Sequence, residues 1–368
     1  MGDGRGWLTV RAAVCRSFDA PPVLEELELR RPAPGEVLVR VAACAVCGSD
    51  LTFLAGGWGG SLPAVFGHEA AGFVEEVGDS VEGLRPGQAV VVTLVRNCGS
   101  CPACVRGEPA LCDAPPEPAG GTPLRTDRGE PVVQGLRTGA FAERVTVHAS
   151  QVVPVDARLE MDAASLLACG VLTGLGAVTR TARLGPGTTV VVVGAGGVGL
   201  NCVQGAAIAG ARTILAVDPV ATKRTAAERL GATGTLDPAA VDLVASVRAL
   251  TEGRGADAVF VTVGSASVIE ASVPLTRRGG TVVLVGMPSS GAFVSLDAVS
   301  IADDGLAVLG SKMGSSLPSR DVPEAAALAL AGELQLDALI SSRYPLERIG
   351  EAIEAARGGS ELRVVVVP

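Results

Sequence analysis

The chain has 368 residues, a formal net charge of -9 and a sequence pI near 5.0. That acidic balance disfavours nucleic acid and anionic membrane as partners, because basic patches supply the affinity for both. Hydrophobic residues make up 48% of the chain and aromatics only 3%, so the core must be built from Val, Ala, Leu and Gly, and a length about twice that of an ordinary domain predicts two domains.

The first ten residues carry Gly, Asp and Arg where an export signal needs a continuous apolar run. Gly6 stands where the Met1-Gly2 start would need Ser or Thr to signal myristoylation. A cytoplasmic location is therefore expected. Up to about residue 160, β-like runs at 37–42, 72–77, 89–94 and 142–147 are separated by Gly, Pro and Asp turns, which predicts an irregular mainly-β unit. Residues 113–138, rich in Pro and Gly, read as a long surface excursion. From about 170 to 310 strand and helix alternate, at 189–193, 198–209, 213–217, 221–230, 258–263 and 281–285. Such alternation predicts an α/β doubly wound parallel sheet with helices on both faces. The uncharged stretch 189–211 is long enough for a membrane span, but its glycines favour a buried strand, a tight turn and a buried helix. The tail after 312 shows one amphipathic helix at 348–356 and an apolar strand at 363–367, and is expected to return to the first domain.

Nine cysteines without an export signal point to metal binding or chemistry rather than disulfides. Cys98, Cys101, Cys104 and Cys112 form C-x2-C-x2-C-x7-C in a polar, turn-rich segment, a spacing that lets four thiolates converge on one tetrahedral zinc. Four sulfurs leave no open position, so this zinc is structural. Gly194, Gly196 and Gly199 make G-x-G-x-x-G between a valine strand and an Ala-rich helix, with Asp218 ending the next strand. In that context the glycines let backbone approach a pyrophosphate at a helix N-terminus, and Asp218 accepts from the adenosine ribose hydroxyls, which favours NAD over NADP. A third set is dispersed: Cys47, His68 and Cys169. Each alone reads as a core thiol or an ordinary imidazole; together they are the three-ligand set of an open zinc site. His148 reads as a solvated strand end, and Cys15, Cys44 and Cys202 as small packing residues.

With these motifs in this order, the sequence resembles the zinc-dependent medium-chain alcohol dehydrogenases of the long, class I and class III type over nearly its whole length. The resemblance implies a GroES-like mainly-β catalytic domain (1–170 and 312–368, with a structural zinc lobe at about 97–113) and a Rossmann domain (171–311). It implies two zincs per subunit, NAD(H), an alcohol or aldehyde substrate and a homodimer. Carried over by position, Cys47, His68 and Cys169 look like the catalytic zinc ligands, Asp50 like the carboxylate that orients His68, and Glu69 like the glutamate that approaches the metal during ligand exchange. Thr173 and Val198 would pack behind the nicotinamide, while Gly197, Val263 and the backbone near Val285 would meet the cofactor. Lys223 resembles the ribose contact and Arg363 the pyrophosphate arginine. The implied reaction is hydride transfer from a zinc-polarised alcohol to nicotinamide, with Ser49 taking the proton.

Relatives carry His five residues after the first ligand cysteine to complete a proton relay; this chain has Thr52, so protons are expected to leave by water or another base. Trp58 and Leu94 are expected to line the substrate channel, with Trp58 equally readable as an anchor of its glycine-rich loop. No charge lies in 55–63 and no Arg follows Cys112 closely, so a glutathione-adduct (formaldehyde-type) substrate is disfavoured against an apolar primary or aromatic alcohol. An NADH-dependent carbonyl reductase remains an alternative, and a non-catalytic dinucleotide binder is disfavoured because no zinc ligand is lost. Gly48 stands where some relatives place Arg or His near the cofactor phosphates, which predicts weaker NAD binding. Titration of NADH fluorescence checks this: Gly48→Arg is expected to bind more tightly than wild type.

Overall fold

The computed structural model describes residues 6–368, so the Met1-Gly2 start lies outside the described residues. Two compact units form, one running through Cys169 and again over Leu317–Pro368, the other over Gly170–Ser316.

In the first unit, Trp7–Cys15 and Val23–Arg30 pair antiparallel, Trp7 opposite Arg30 and Val14 opposite Val23, and Leu124–Arg125, Pro131–Gln134 and Ala64–Val65 close a small barrel with them. Two of these barrel strands lie in 113–138, which corrects the expectation of a surface excursion there. Val132 and Gln134 point inward and Pro131 and Val133 outward, but four residues are too few to show period two in a Pro- and Gly-rich sequence. The opening pair of strands also carries no clear apolar run, since Glu25, Glu26, Glu28 and Arg30 interrupt it.

Beside the barrel runs a seven-stranded sheet in the order Val152–Pro154, Ala89–Val92, Glu69–Val77, Glu36–Ala45, Arg363–Val367 and Ile340–Pro345, with Arg144–His148 also pairing with Glu36–Ala45. The register sets Ala45 opposite both Glu69 and Val365. Three strand ends therefore meet at one place: the exit toward Cys47, the entry from His68 and the strand that Arg363 begins. The shared core is aliphatic, as composition requires, with Phe66 and Phe141 as its buried rings. In the tail, Ile349–Arg357 buries Ile349, Ala352 and Ile353 on one face, and Pro318–Leu330 is a second helix that sequence reading passed over. Pro318 is its first residue, where a missing N–H costs nothing, so a residue that reads as a breaker is here a start signal.

The second unit holds six parallel strands in the order Gly234–Leu236, Thr213–Val217, Thr189–Val193, Ala256–Val261, Thr276–Leu284 and Ala307–Gly310. Numbered along the chain this is 3-2-1-4-5-6, the doubly wound order whose ligand crevice lies where the winding reverses, beside the first strand. Thr189–Val193 is buried throughout, as its valines predict, and Gly197–Ile208 follows it. Among the described residues no single helix is long and apolar enough to cross a membrane.

Gly67 combines a left-handed backbone with a close approach to a neighbouring segment in the first unit. Its φ is +91°, and a Cβ there would lie 2.6 Å from the Phe141 backbone nitrogen. Gly67→Ala is therefore expected to destabilise the fold by about 2–4 kcal/mol, from the left-handed conformation and the clash together, as read from urea unfolding.

Candidate active site and metal centres

Cys47, His68, Glu69 and Cys169 converge so that one ligand atom from each lies within 4.8 Å of every other, and all four residues are buried. Local structure explains the placement. Cys47 caps the helix Gly48–Leu54, and Asp50 in its first turn accepts from the Cys47 N–H at 3.0 Å. The other Asp50 oxygen accepts from Gly67 N–H at 3.0 Å and stands 3.1 Å from His68 Nδ1. With Nδ1–H bound to this carboxylate, the lone pair of Nε2 is free for a metal. Cys169 arrives on the 3-10 turn Leu166–Ala168, which it closes.

Two buried polar atoms of this cluster, His68 Nε2 and Glu69 Oε1, have no hydrogen-bond partner. Leaving such atoms unsatisfied is costly, and both belong to groups that ligate cations, so the residues fit an ion. Two thiols and an imidazole are the donor set of zinc with an open position. The charges agree. A hydrogen bond from the Cys169 thiol pulls Cys47 well below the ordinary thiol range against the cost of burial, while the same bond, with burial, drives Cys169 upward. Burial pushes His68 down, but Asp50 and Cys47 outweigh it and the net shift is upward. Burial lifts the Glu69 carboxyl to about 8 against the pull of Arg363.

Arg363, assigned by resemblance to the pyrophosphate, is only 6% exposed and its Nη2 donates to Glu69 Oε2 within this cluster. The Arg363–Glu69 pair was not legible in the sequence, since 294 residues separate the two. Ser49 is half-buried, its Oγ 3.9 Å from Cys47 Sγ. Thr52, at the relay position, turns its hydroxyl back to donate to Gly48 O at 3.0 Å. Trp58 packs edge-on against Phe53 at 5.1 Å, and Phe53 stacks on Phe66 at 5.7 Å, two residues before His68. The loop-anchor contact of Trp58 is thus present. Leu94 is half-buried, just past the strand Ala89–Val92.

In the second cluster, Cys98 Sγ lies 3.6 Å from Cys112 Sγ and 4.0 Å from Cys104 Sγ, with Cys101 and Cys112 sulfurs 3.9 Å apart. A tetrahedral zinc with sulfurs at about 2.3 Å spaces them about 3.8 Å apart, so these four fit one ion and no disulfide. Backbone N–H groups of Ser100 and Cys101 draw the Cys98 thiol down to about 6, preparing it as a thiolate ligand.

The second unit carries the glycine turn. Gly194 has φ +93°, and a Cβ on Gly199 would lie 1.8 Å from Gly194 O, so helix and strand can approach only as glycines. Gly196 differs: nothing lies within 4 Å of its Cβ direction, which leaves open space at the N-terminus of Gly197–Ile208 for a phosphate. Asp218 is buried after Thr213–Val217, accepting from Ala195 and Val220 N–H at 2.8 Å each. Gly197, Val198, Lys223 and Val263 are half-buried, and Val285 is buried after its strand. Thr173 lies on Gly170–Gly176, buried, donating to Met313 Sδ at 3.8 Å. Thr262, not singled out by any motif, donates to both Val193 and Gly194 carbonyls and ties the turn to the next strand.

The two metal clusters respond differently to loss of Asp50. Asp50→Asn keeps the shape but removes the charge behind His68, so affinity at the dispersed cluster is expected to fall about 10- to 100-fold while the four-cysteine lobe keeps its ion. Zinc analysis after timed exposure to a chelator checks this: one ion per chain should be lost early in the variant and retained in wild type.

Residues 33–157 match the alcohol dehydrogenase GroES-like domain, and residues 197–365 match the zinc-binding dehydrogenase family. The NDMA-dependent alcohol dehydrogenase of Amycolatopsis methanolica is 38% identical over 368 residues, covering 98% of this chain and 99% of its own. Among solved structures, an alcohol dehydrogenase zinc-binding domain protein from Burkholderia ambifaria superposes with a TM-score of 0.94 at 34% identity, covering 98% of this chain and all of that one. Benzyl alcohol dehydrogenase from Acinetobacter calcoaceticus superposes with a TM-score of 0.91 at 29% identity, covering 98% and 99%. With both family signatures, full-length relatives and two built metal clusters in hand, the chain belongs to the zinc-dependent medium-chain alcohol dehydrogenases, enzymes that interconvert an alcohol and its carbonyl compound.

Proposed function

We propose that the protein is an NAD-linked dehydrogenase of apolar primary or aromatic alcohols, with one catalytic and one structural zinc per chain. The observation that carries this reading is the pair of orphaned buried atoms, His68 Nε2 and Glu69 Oε1, facing a thiol pair in a chain that also holds a glycine turn followed by Asp218. When bound, zinc supplies a Lewis-acidic position for an alcohol oxygen and NAD supplies the hydride acceptor.

The protein's own groups do the rest. Cys47, His68 and Cys169 would hold the zinc, Asp50 fixes the His68 tautomer, and the Cys98, Cys101, Cys104 and Cys112 lobe would hold the structural ion. The Ser49 hydroxyl, beside Cys47, would accept the alcohol proton at Oγ. The Thr52 proton is committed to Gly48 O, so the onward proton goes to water at the exposed Gly48 end of the helix. Asp218 disfavours a 2'-phosphate by charge, which supports NAD over NADP. The uncharged loop at 55–63 supports an apolar substrate, in keeping with the aromatic alcohol named for the Acinetobacter relative. The same reading takes the protein as a cytoplasmic homodimer without nucleic-acid or membrane partners; light scattering of the purified protein tests the dimer.

The name of the Amycolatopsis relative supports a second reading, in which NDMA replaces free NAD as the terminal acceptor. A panel of benzylic, aliphatic and thiol-adduct alcohols, each run with NAD, NADP and NDMA, separates the two. Turnover with NAD and a benzylic or aliphatic alcohol is expected; turnover with NDMA alone would overturn the NAD reading. Ser49→Ala should lower kcat about a hundredfold or more with zinc content unchanged. Thr52→His should shift the pH dependence of turnover, because it restores a titrating relay group where only water serves.

A further inference from the structure

A cavity of about 140 Å³ lies in the first unit, walled by Arg96, Glu36, Thr146 and His148 and covered by the segment Pro116–Ala119. It lies beside the residue that opens Glu36–Ala45, whereas Cys47 follows that strand's other end, so it is separate from the dispersed metal cluster. It belongs to no motif used above.

Arg96 makes this cavity unusual. The side chain is only 3% exposed, yet its three hydrogen bonds all go to neutral oxygens: Nε to Gln151 Oε1 at 2.8 Å, Nη1 to Pro116 O at 3.3 Å and Nη2 to Arg137 O at 3.0 Å. Among the described residues no carboxylate pairs with it. A guanidinium has five N–H groups, so two remain for a further acceptor. A buried charge is stable only when matched by an opposite charge or a full set of hydrogen bonds; burial pulls Arg96 down, Glu117 and Glu36 offset part of that through space, and neither carboxylate bonds to the guanidinium.

The nearby acids do not fill this role. Glu36 is already matched: Arg30 Nη2 reaches its two oxygens at 3.0 and 2.8 Å, Ala33 N–H donates at 2.9 Å and Ala119 N–H at 3.4 Å. Glu117 is exposed on the covering segment. We infer that this cavity is a binding site for a small oxyanion, an inorganic phosphate or a short carboxylate, held by the free N–H groups of Arg96 and admitted past Glu117. The volume suits such an ion and excludes a dinucleotide. Arg96 lies two residues before Cys98 and bonds to Pro116, four residues after Cys112, so an occupant would brace the base of the four-cysteine lobe.

Calorimetric titration of the full-length, zinc-loaded protein with selenate, a phosphate-like probe visible by anomalous scattering, tests the site, with acetate as a separate arm. Saturable binding is expected in wild type, about fivefold tighter in Glu117→Gln because a like charge is removed from the rim. Binding at this site should be lost in Arg96→Met. Crystals grown with selenate should show an anomalous peak beside Arg96. Tighter acetate than selenate binding would identify a carboxylate as the ligand, and the reverse a phosphate. If Arg96→Met fails to fold, the response to Glu117→Gln and the anomalous peak still decide. Affinity indifferent to Glu117→Gln with no peak at Arg96, or no saturable binding of either anion, would overturn the proposal.

Discussion

The active site depends on one buried carboxylate. Asp50 is fully inaccessible, and burying an ionised carboxyl is costly unless hydrogen bonds replace its water. Three N–H groups do so here: Cys47 N, Gly67 N and His68 Nδ1. Each comes from a different constraint. Cys47 is held by the start of a helix, Gly67 by a left-handed backbone that only glycine tolerates beside Phe141, and His68 by the strand it precedes. The carboxylate can be satisfied only if helix, turn and strand are all in register. Satisfying Asp50 and presenting His68 Nε2 to a metal are therefore one structural event.

That dependence explains which parts of the protein were legible in the sequence. The four-cysteine lobe spans fifteen residues and its geometry follows from local spacing, so reading it needs no knowledge of the fold. The glycine turn is local too, and the strand before it announces itself as five buried residues ending in four valines. The dispersed cluster is otherwise. Cys47 and His68 meet because Ala45 pairs with Glu69, and register is a long-range property that no spacing encodes. Resemblance to a family supplied what periodicity could not. The same limit hid the Arg363–Glu69 pair and the short barrel strands at Leu124–Arg125 and Pro131–Gln134, while Pro318 disguised a helix start as a break.

The two metal clusters also differ in the donors they offer. Four sulfurs at tetrahedral spacing exhaust the coordination of zinc, so that ion can only stabilise. Around His68, two orphaned polar atoms each carry the cost of an unsatisfied buried group, about 1–3 kcal/mol. A cation held by His68 and the two thiols would stabilise the first unit by linkage and, with Glu69 not ligating, would leave one position for a substrate oxygen. Stability and chemistry are thus coupled at one centre and separated at the other.

On the proposed reading, the helix that Cys47 caps sets where a proton can go. Ser49 lies in its first turn with its hydroxyl near the cluster, while Thr52, one turn on, satisfies its own hydroxyl against Gly48 O. Such an i to i−4 bond is the ordinary resting place of a threonine on a helix, and it removes the donor a relay would need. Imidazole at this position would titrate near neutral pH and carry a proton in either direction; a hydroxyl with its proton committed cannot. What remains is the exposed Gly48, which lacks a side chain to screen the first turn from solvent. On the proposed reading, Thr52 with its proton committed and an exposed Gly48 at the same helix end together favour direct exchange between Ser49 and solvent.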